Sequence, residues 1–235
     1  HIIITSLIYD QMKRKPMLKG ADNMKIPVFF TSMIVLVLFL AYKRWKQTQN
    51  QAEMNEAFLE RERRANATRK KDISNLDYLP FSADALPIAE YSDDKLASFE
   101  AVLKNLSGQK IINLSMYSNT DLKLMYGPAN LNDLSEYDEN YHVLSDTLLS
   151  YALRELELGR ETAAAAVLEY AVELRIDSSR IYLTLAKLYQ KQHTPEKISH
   201  ITETLSSMDA DFAGSVIQKI HNLSDSSKLS EDSVS

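Results

Sequence analysis

The densest patch of chemically capable side chains is LSEYDENYH, residues 134–142. Glu136, Asp138 and Glu139 could be read as a cation site or as paired catalytic carboxylates. The spacing supports a plainer arrangement. Tyr137 and Tyr141 stand four residues apart with Leu134 on the same side, so a helix here turns the tyrosines inward and the acids outward. The five histidines, at 1, 142, 193, 200 and 221, have no ligand spacing with one another. The chain has no cysteine, which excludes disulfides, thiol catalysis and thiolate metal sites. It carries no Gly-rich phosphate loop, no H-E-x-x-H and no G-x-S-x-G. The sequence therefore reads as no enzyme: no catalytic residue, no cofactor and no metal are expected. The rival from another class is an enzyme or accessory subunit whose site lies within 109–142, around Glu136 and Asp138.

Charge divides the chain more sharply than its net value of −5 suggests. Up to Lys71 there are 14 Lys/Arg against 6 Asp/Glu, and from Asp72 onward 13 against 26. A basic first third suits proximity to anionic lipid, whereas the acidic remainder is repelled from it. The same acidity argues against nucleic acid as a partner, because those surfaces need clustered Lys and Arg.

The elements that would position any site begin with an uncharged run. Between Lys25 and Lys43 lie 17 residues without a charge. As a helix they cover roughly 25 Å, slightly short of a hydrocarbon core of about 30 Å. Lys25, Lys43, Arg44 and Lys46 can snorkel, Tyr42 and Trp45 suit an interface, and Pro27 falls in a first turn. A buried core helix would need neighbours able to wrap it. A cleaved signal peptide would need small residues after the run, where FLAYKRWK stands instead. The expectation is one transmembrane helix over 24–43, with residues 26–42 in the lipid bilayer of the cell membrane. Residues 1–23 are set apart as an upstream, non-native leader, with Met12, Met17 and Met24 as alternative initiators. If Met24 is first, Lys43, Arg44, Lys46 and Arg61 draw the C-terminal body into the cytoplasm. If residues 1–23 count, Lys13, Arg14, Lys15 and Lys19 balance them.

Residues 44–72 lack Gly and Pro and are rich in helix formers, predicting a polar helical stalk. Trp45, Thr48, Ala52, Asn55 and Leu59 give a seam too weak for a coiled coil. Residues 73–92 read as an extended linker, or as a strap laid over the next domain through Leu76, Tyr78, Leu79 and Phe81. Ser92 is expected to cap a helix of about 93–106 whose buried stripe is Leu96, Phe99, Val102, Leu103 and Leu106. Residues 109–134 admit a short hairpin, but no further strands follow to complete a sheet, which favours helix and loop, with Asn119 or Thr120 as a cap. A further helix is expected at about 130–143. Residues 223–235 have few apolar groups and should be disordered.

Two stretches, 145–178 and 179–212, align at a 34-residue offset. The second has Tyr182, Leu185, Ala186 and Tyr189 in its first half; the first has Gly159 at a turn, then Ala164, Leu168 and Ala171. In length and in these positions residues 145–222 resemble the tetratricopeptide repeat, a helix-turn-helix unit. Ile176 stands where that repeat usually ends in Pro, and His193 and Ile198 replace its turn Gly and small Ala. Without the family, small Ala at 163–166 and 171 still lets two helices approach closely. Thr194-Pro195 reads as the start of the next helix, and the helix after Met208 as a terminal cap.

The expected fold is all-α, with a short helical-hairpin array over 93–222. The resemblance implies protein binding along a concave face of first helices. It transfers the groove positions to Asp146, Leu149, Leu153 and Leu156, then to Arg180, Leu183, Lys187 and Gln190. The leucines double as core, which leaves Arg180, Lys187 and Gln190 as the clearest contacts. The functional expectation is a membrane-anchored interaction adaptor or scaffold, the alternative being a structural subunit of an envelope assembly.

Overall fold

The computed structural model describes residues 25–86 and 93–231, and side chains over 30–86 and 93–223. The expected leader 1–23, the start at Met24 and the cap at Ser92 lie outside the described residues. The chain divides into two compact units, 1–61 and 62–235. No strand occurs among the described residues, and the protein is all-α.

The first unit is built on helix α1, Lys25–Asn66, whose last turn belongs to the second unit. No Gly or Pro interrupts it after Pro27. Every side chain from Phe30 to Arg61 is exposed, including Ile34, Val35, Leu36 and Phe39. Among the described residues no helix is long and apolar enough to cross a membrane. Within α1 the whole uncharged run, 26–42, is helical. It covers about 25 Å of helix, against roughly 30 Å of hydrocarbon.

The expected stalk stops being helical at Asn66. Segment 67–72 leaves the helix as irregular backbone, held from both sides. Lys71 N–H donates to the Tyr126 carbonyl (3.0 Å), and Asn130 Nδ2 donates to the Lys71 carbonyl (2.7 Å). Gly127 makes this approach feasible: a Cβ there would lie 2.6 Å from the Arg69 carbonyl oxygen, and its φ is +88°. One turn earlier Glu62 accepts from Thr120 Oγ1 (2.8 Å) and from Lys123, while Ala65 is fully buried.

Of the two readings of 73–92, the described part fits the strap. Ile73, Phe81, Ala83 and Leu86 are buried, with a short 3-10 turn at Ala83–Ala85. Helix α2, Asp94–Leu106, is capped by Asp93, which accepts from Leu96 N–H at 3.0 Å. Its stripe buries Leu96, Leu103 and Leu106, whereas Val102 stays exposed. Residues 109–118 are irregular, bound by Leu79 N–H to the Ile111 carbonyl (2.8 Å) and by Ile112 N–H to the Tyr137 carbonyl (3.2 Å). Helix α3, Asn119–Tyr126, is capped by neither Asn119 nor Thr120. Ser118 and Asp121 form a reciprocal capping box instead. A 3-10 turn, Pro128–Asn130, leads into helix α4, Leu131–Glu157.

Helix α4 corrects the expected division at about 143. The helix at 130 and the first helix of the 34-residue unit are one rod of 27 residues, since neither Gly nor Pro interrupts them. Four helices follow: α5 (Glu161–Glu173), α6 (Ser179–Lys191), α7 (Pro195–Ser206) and α8 (Ala210–Glu231). The last runs into the stretch expected to be disordered, with no Gly or Pro after Gly214 to stop it. Successive helices pack as hairpins, α4 on α5, α5 on α6, α6 on α7, with α8 against both α6 and α7. Ala164 and Ala171 are fully buried in the main core, beside Leu148, Ala152 and Leu168. A smaller core gathers Ile73, Leu114, Leu122 and Leu134.

The helix ends repeat at the same offset as the sequence. Helices α4 and α6 end at Glu157 and Lys191, and α5 and α7 start at Glu161 and Pro195. Between them Gly159 (φ +76°) and His193 (φ +53°) take the left-handed conformation. Each closes the same paired bonds: Arg160 N–H to Glu155 and Gly159 N–H to Leu156, then Thr194 N–H to Tyr189 and His193 N–H to Gln190. Thr194 precedes Pro195 as expected, but its hydroxyl donates back to the Tyr189 carbonyl (3.2 Å) rather than capping α7.

These turns order the glycine effects. His193→Gly relieves a strained L-residue and is expected to stabilise the body by about 1 kcal/mol, and Gly159→Ala to cost about as much. Gly127→Ala adds a collision with backbone and is expected to cost the most, about 2–3 kcal/mol. Denaturant titration of the three variants checks the order.

Candidate functional site

Helix α4 carries the acidic–tyrosine patch, and its outcome is structural. Leu134 and Tyr141 are buried and Tyr137 is half-buried, as the spacing predicts, but Asp138 is not simply turned outward. It accepts from Leu114 N–H at 2.7 Å and lies 3.6 Å from His142, holding segment 109–118 to the helix. Glu136 and Glu139 are exposed. Among the described residues no three His, Cys, Asp or Glu converge as metal ligands.

The Tyr141 hydroxyl bonds the Asp177 carboxylate and accepts from Asp177 N–H at 2.9 Å. Asn113 Nδ2 donates to the same carboxylate at 2.7 Å. Burial, and this carboxylate next to it, push the tyrosine's pKa well above the usual range, so the phenol stays protonated. The trio ties α4, the α5–α6 turn and segment 109–118 together.

The expected partner face is formed in part. On α6, Arg180 and Lys187 are exposed, Gln190 is half-buried, and Leu183 packs partly against the main core. On α4, Asp146 is exposed, whereas Leu149 is buried and Leu153 and Leu156 lean on the core. The leucines at these positions are thus spent on packing. No ion pair joins Asp146, Arg180 or Lys187 to another group among the described residues.

Sequence reasoning missed a polar cluster where α2 meets the end of α4. Asp93, already the cap of α2, takes Arg154 Nη2 at 2.7 Å, and Arg154 Nη1 reaches Glu157 at 2.7 Å. The arginine beside it holds the Asp93 carboxyl down at about 2. Tyr151 Oη donates to Glu100 at 3.2 Å. Glu155, only 1% exposed, lies 3.2 Å from Arg160 Nε, and neither of its oxygens accepts a hydrogen bond. Burial pushes the Glu155 carboxyl up; Arg160 opposes this, while Asp93 and Glu100 add to it. The signal was present in the sequence: Glu155 falls on the stripe Leu148, Tyr151, Ala152, where an apolar residue belongs.

A second missed feature is a cleft of about 570 Å³ between the strap and segment 112–117. Tyr78, Tyr117 and Tyr126 line it together with Leu76, Ile112 and Leu114. No protein family, no curated protein and no solved structure matches the chain.

The two carboxylates pull stability in opposite directions with pH. Glu155 binds its proton more tightly folded than unfolded, so its effect favours the fold as pH falls through the window just above the ordinary carboxylate value. Asp93 acts the other way: its contribution is present above about 3.8 and is lost as pH falls toward 2. Melting temperature is therefore expected to rise on mild acidification and fall on strong acidification. Glu155→Gln should remove the rise and leave the fall, as read by melting curves from neutral pH down to about pH 2.

Proposed function

We propose that the chain is a non-catalytic interaction adaptor, its second unit a short tetratricopeptide-like array and its segment 26–42 seated in a lipid bilayer. One observation carries the array reading: helix ends, left-handed turn residues and helix starts recur 34 residues apart, at Glu157 and Lys191, Gly159 and His193, Glu161 and Pro195. Stacked hairpins of that length expose first helices as an extended surface for protein segments. The 27-residue α4 departs from the pattern, its first half serving the smaller core instead. On the proposed face Arg180 and Lys187 of α6 supply charge, with Gln190 and Leu183 on the same helix and Asp146 contributed by α4.

Supporting the bilayer reading, side chains from Phe30 to Leu40 are exposed all round α1, an arrangement that water disfavours. Lys43, Arg44 and Lys46 follow at once, and the Tyr42 and Trp45 rings lie 6.3 Å apart where interfacial rings belong. Residues 26–42 make a short span, met by snorkelling and local thinning. The basic exit leans the acidic body toward the cytoplasm.

Charge reversal with Arg180→Glu and Lys187→Glu should reduce partner capture from detergent extract by fivefold or more, at unchanged melting temperature. Undiminished capture overturns the proposed face. In sealed vesicles with the cytoplasmic side inward, the body should resist added protease. Digestion from outside overturns the orientation.

A further inference from the structure

Neither Arg180 nor Lys187 lines the strap cleft, and its chemistry is of another kind. We propose that it docks an extended partner segment carrying a lysine or arginine beside an apolar side chain. Three tyrosines line it, and tyrosine supplies large, stiff contact area with a polar tip. Tyr117, which lines it, is 46% exposed, and its chain neighbour Met116 is 80% exposed, the two most exposed large apolar side chains described in the second unit. Neighbouring apolar groups left open in this way mark interaction surfaces.

Charge selects the occupant. Asp77 and Glu173 line the cleft, both are exposed, and neither forms an ion pair among the described residues. Arg175 is the single cation in the described lining, which therefore carries one net negative charge, with Lys110 close by at Tyr78. Aromatic faces add to the attraction for a cation. This corner already shows the interaction internally: Lys110 Nζ sits 5.0 Å from the Tyr78 ring centre and 5.4 Å from that of Tyr137. An acidic segment would meet Asp77, Glu173 and the negative body.

The cleft is also preformed, which spares a ligand the entropy of ordering it. Asn113 is held by Asp177, Leu114 by Asp138, and the Tyr78 hydroxyl donates to the Ile73 carbonyl. Tyr117 is held in that segment through its backbone N–H bond to the Leu114 carbonyl (2.9 Å), a bond that does not involve the ring.

The test uses the full chain in zwitterionic detergent with ¹³C-labelled methionine methyls, the Met116 signal being assigned with Met116→Leu. The probes are acetyl-Leu-Lys-Leu-amide and acetyl-Leu-Glu-Leu-amide at millimolar concentration. The lysine peptide should shift Met116 in a saturable, salt-sensitive way and the glutamate peptide should not. Asp77→Asn with Glu173→Gln should weaken the response about threefold or more, Tyr117→Ala should remove it, and Tyr117→Phe should keep it. Equal responses to the two peptides, no response to either, or a response surviving Tyr117→Ala overturns the proposal. Arg180→Glu with Lys187→Glu should leave this response unchanged, which separates it from the helix-face reading.

Discussion

The body depends on one uninterrupted helix having a different neighbour along each part of its length. Helix α4 rises about 40 Å without a break. Near its start Leu134 belongs to the smaller core, and from Tyr141 onward its side chains belong to the main one. A rod shared by two cores fixes one against the other, since close-packed interiors resist sliding. Segment 109–118, which has no regular structure of its own, is then held by the backbone and carboxylate acceptors that α4 presents at Tyr137 and Asp138.

Polar groups do a second kind of work. The main core is apolar, and apolar packing tolerates many arrangements of about the right volume. Tyr141 with Asp177, and Arg154 with Asp93, are directional, and each joins elements far apart in sequence. They favour one arrangement of α2, α4 and the α5–α6 turn over its near alternatives. Glu155 is the exception, a buried acid whose oxygens find a charge but no hydrogen bond.

Much of this was legible in the residues. The helical periodicity, the buried stripe Leu96, Leu103 and Leu106, the turn at Gly159 and the start at Pro195 all follow from local rules. What escaped depends on tertiary context. The cap of α3 went to Ser118 because Asp121 stands three residues on and answers it. The division expected near 143 vanished because packing favours continuing a helix that nothing interrupts. Of the candidate site, exposure at Asp146, Arg180 and Lys187 followed from their charge, and the partial burial of Leu183 from its neighbours. The strap cleft could not be read, because its lining comes from four separated segments.

The crossing of backbone over Gly127 has a mechanical meaning. Segment 67–72 runs past the turn at Pro128–Asn130 with its bonds to Tyr126 and Asn130 on one residue, Lys71, and with Glu62 held by α3 nine residues earlier. Tension entering the body at Glu62 therefore falls first on the smaller core. Gly127 and Asn130 act as a fairlead, a fixed guide that turns a pull on the line into side load on a mounting. Beyond that mounting the load passes along α4, the rod both cores share, into the main core.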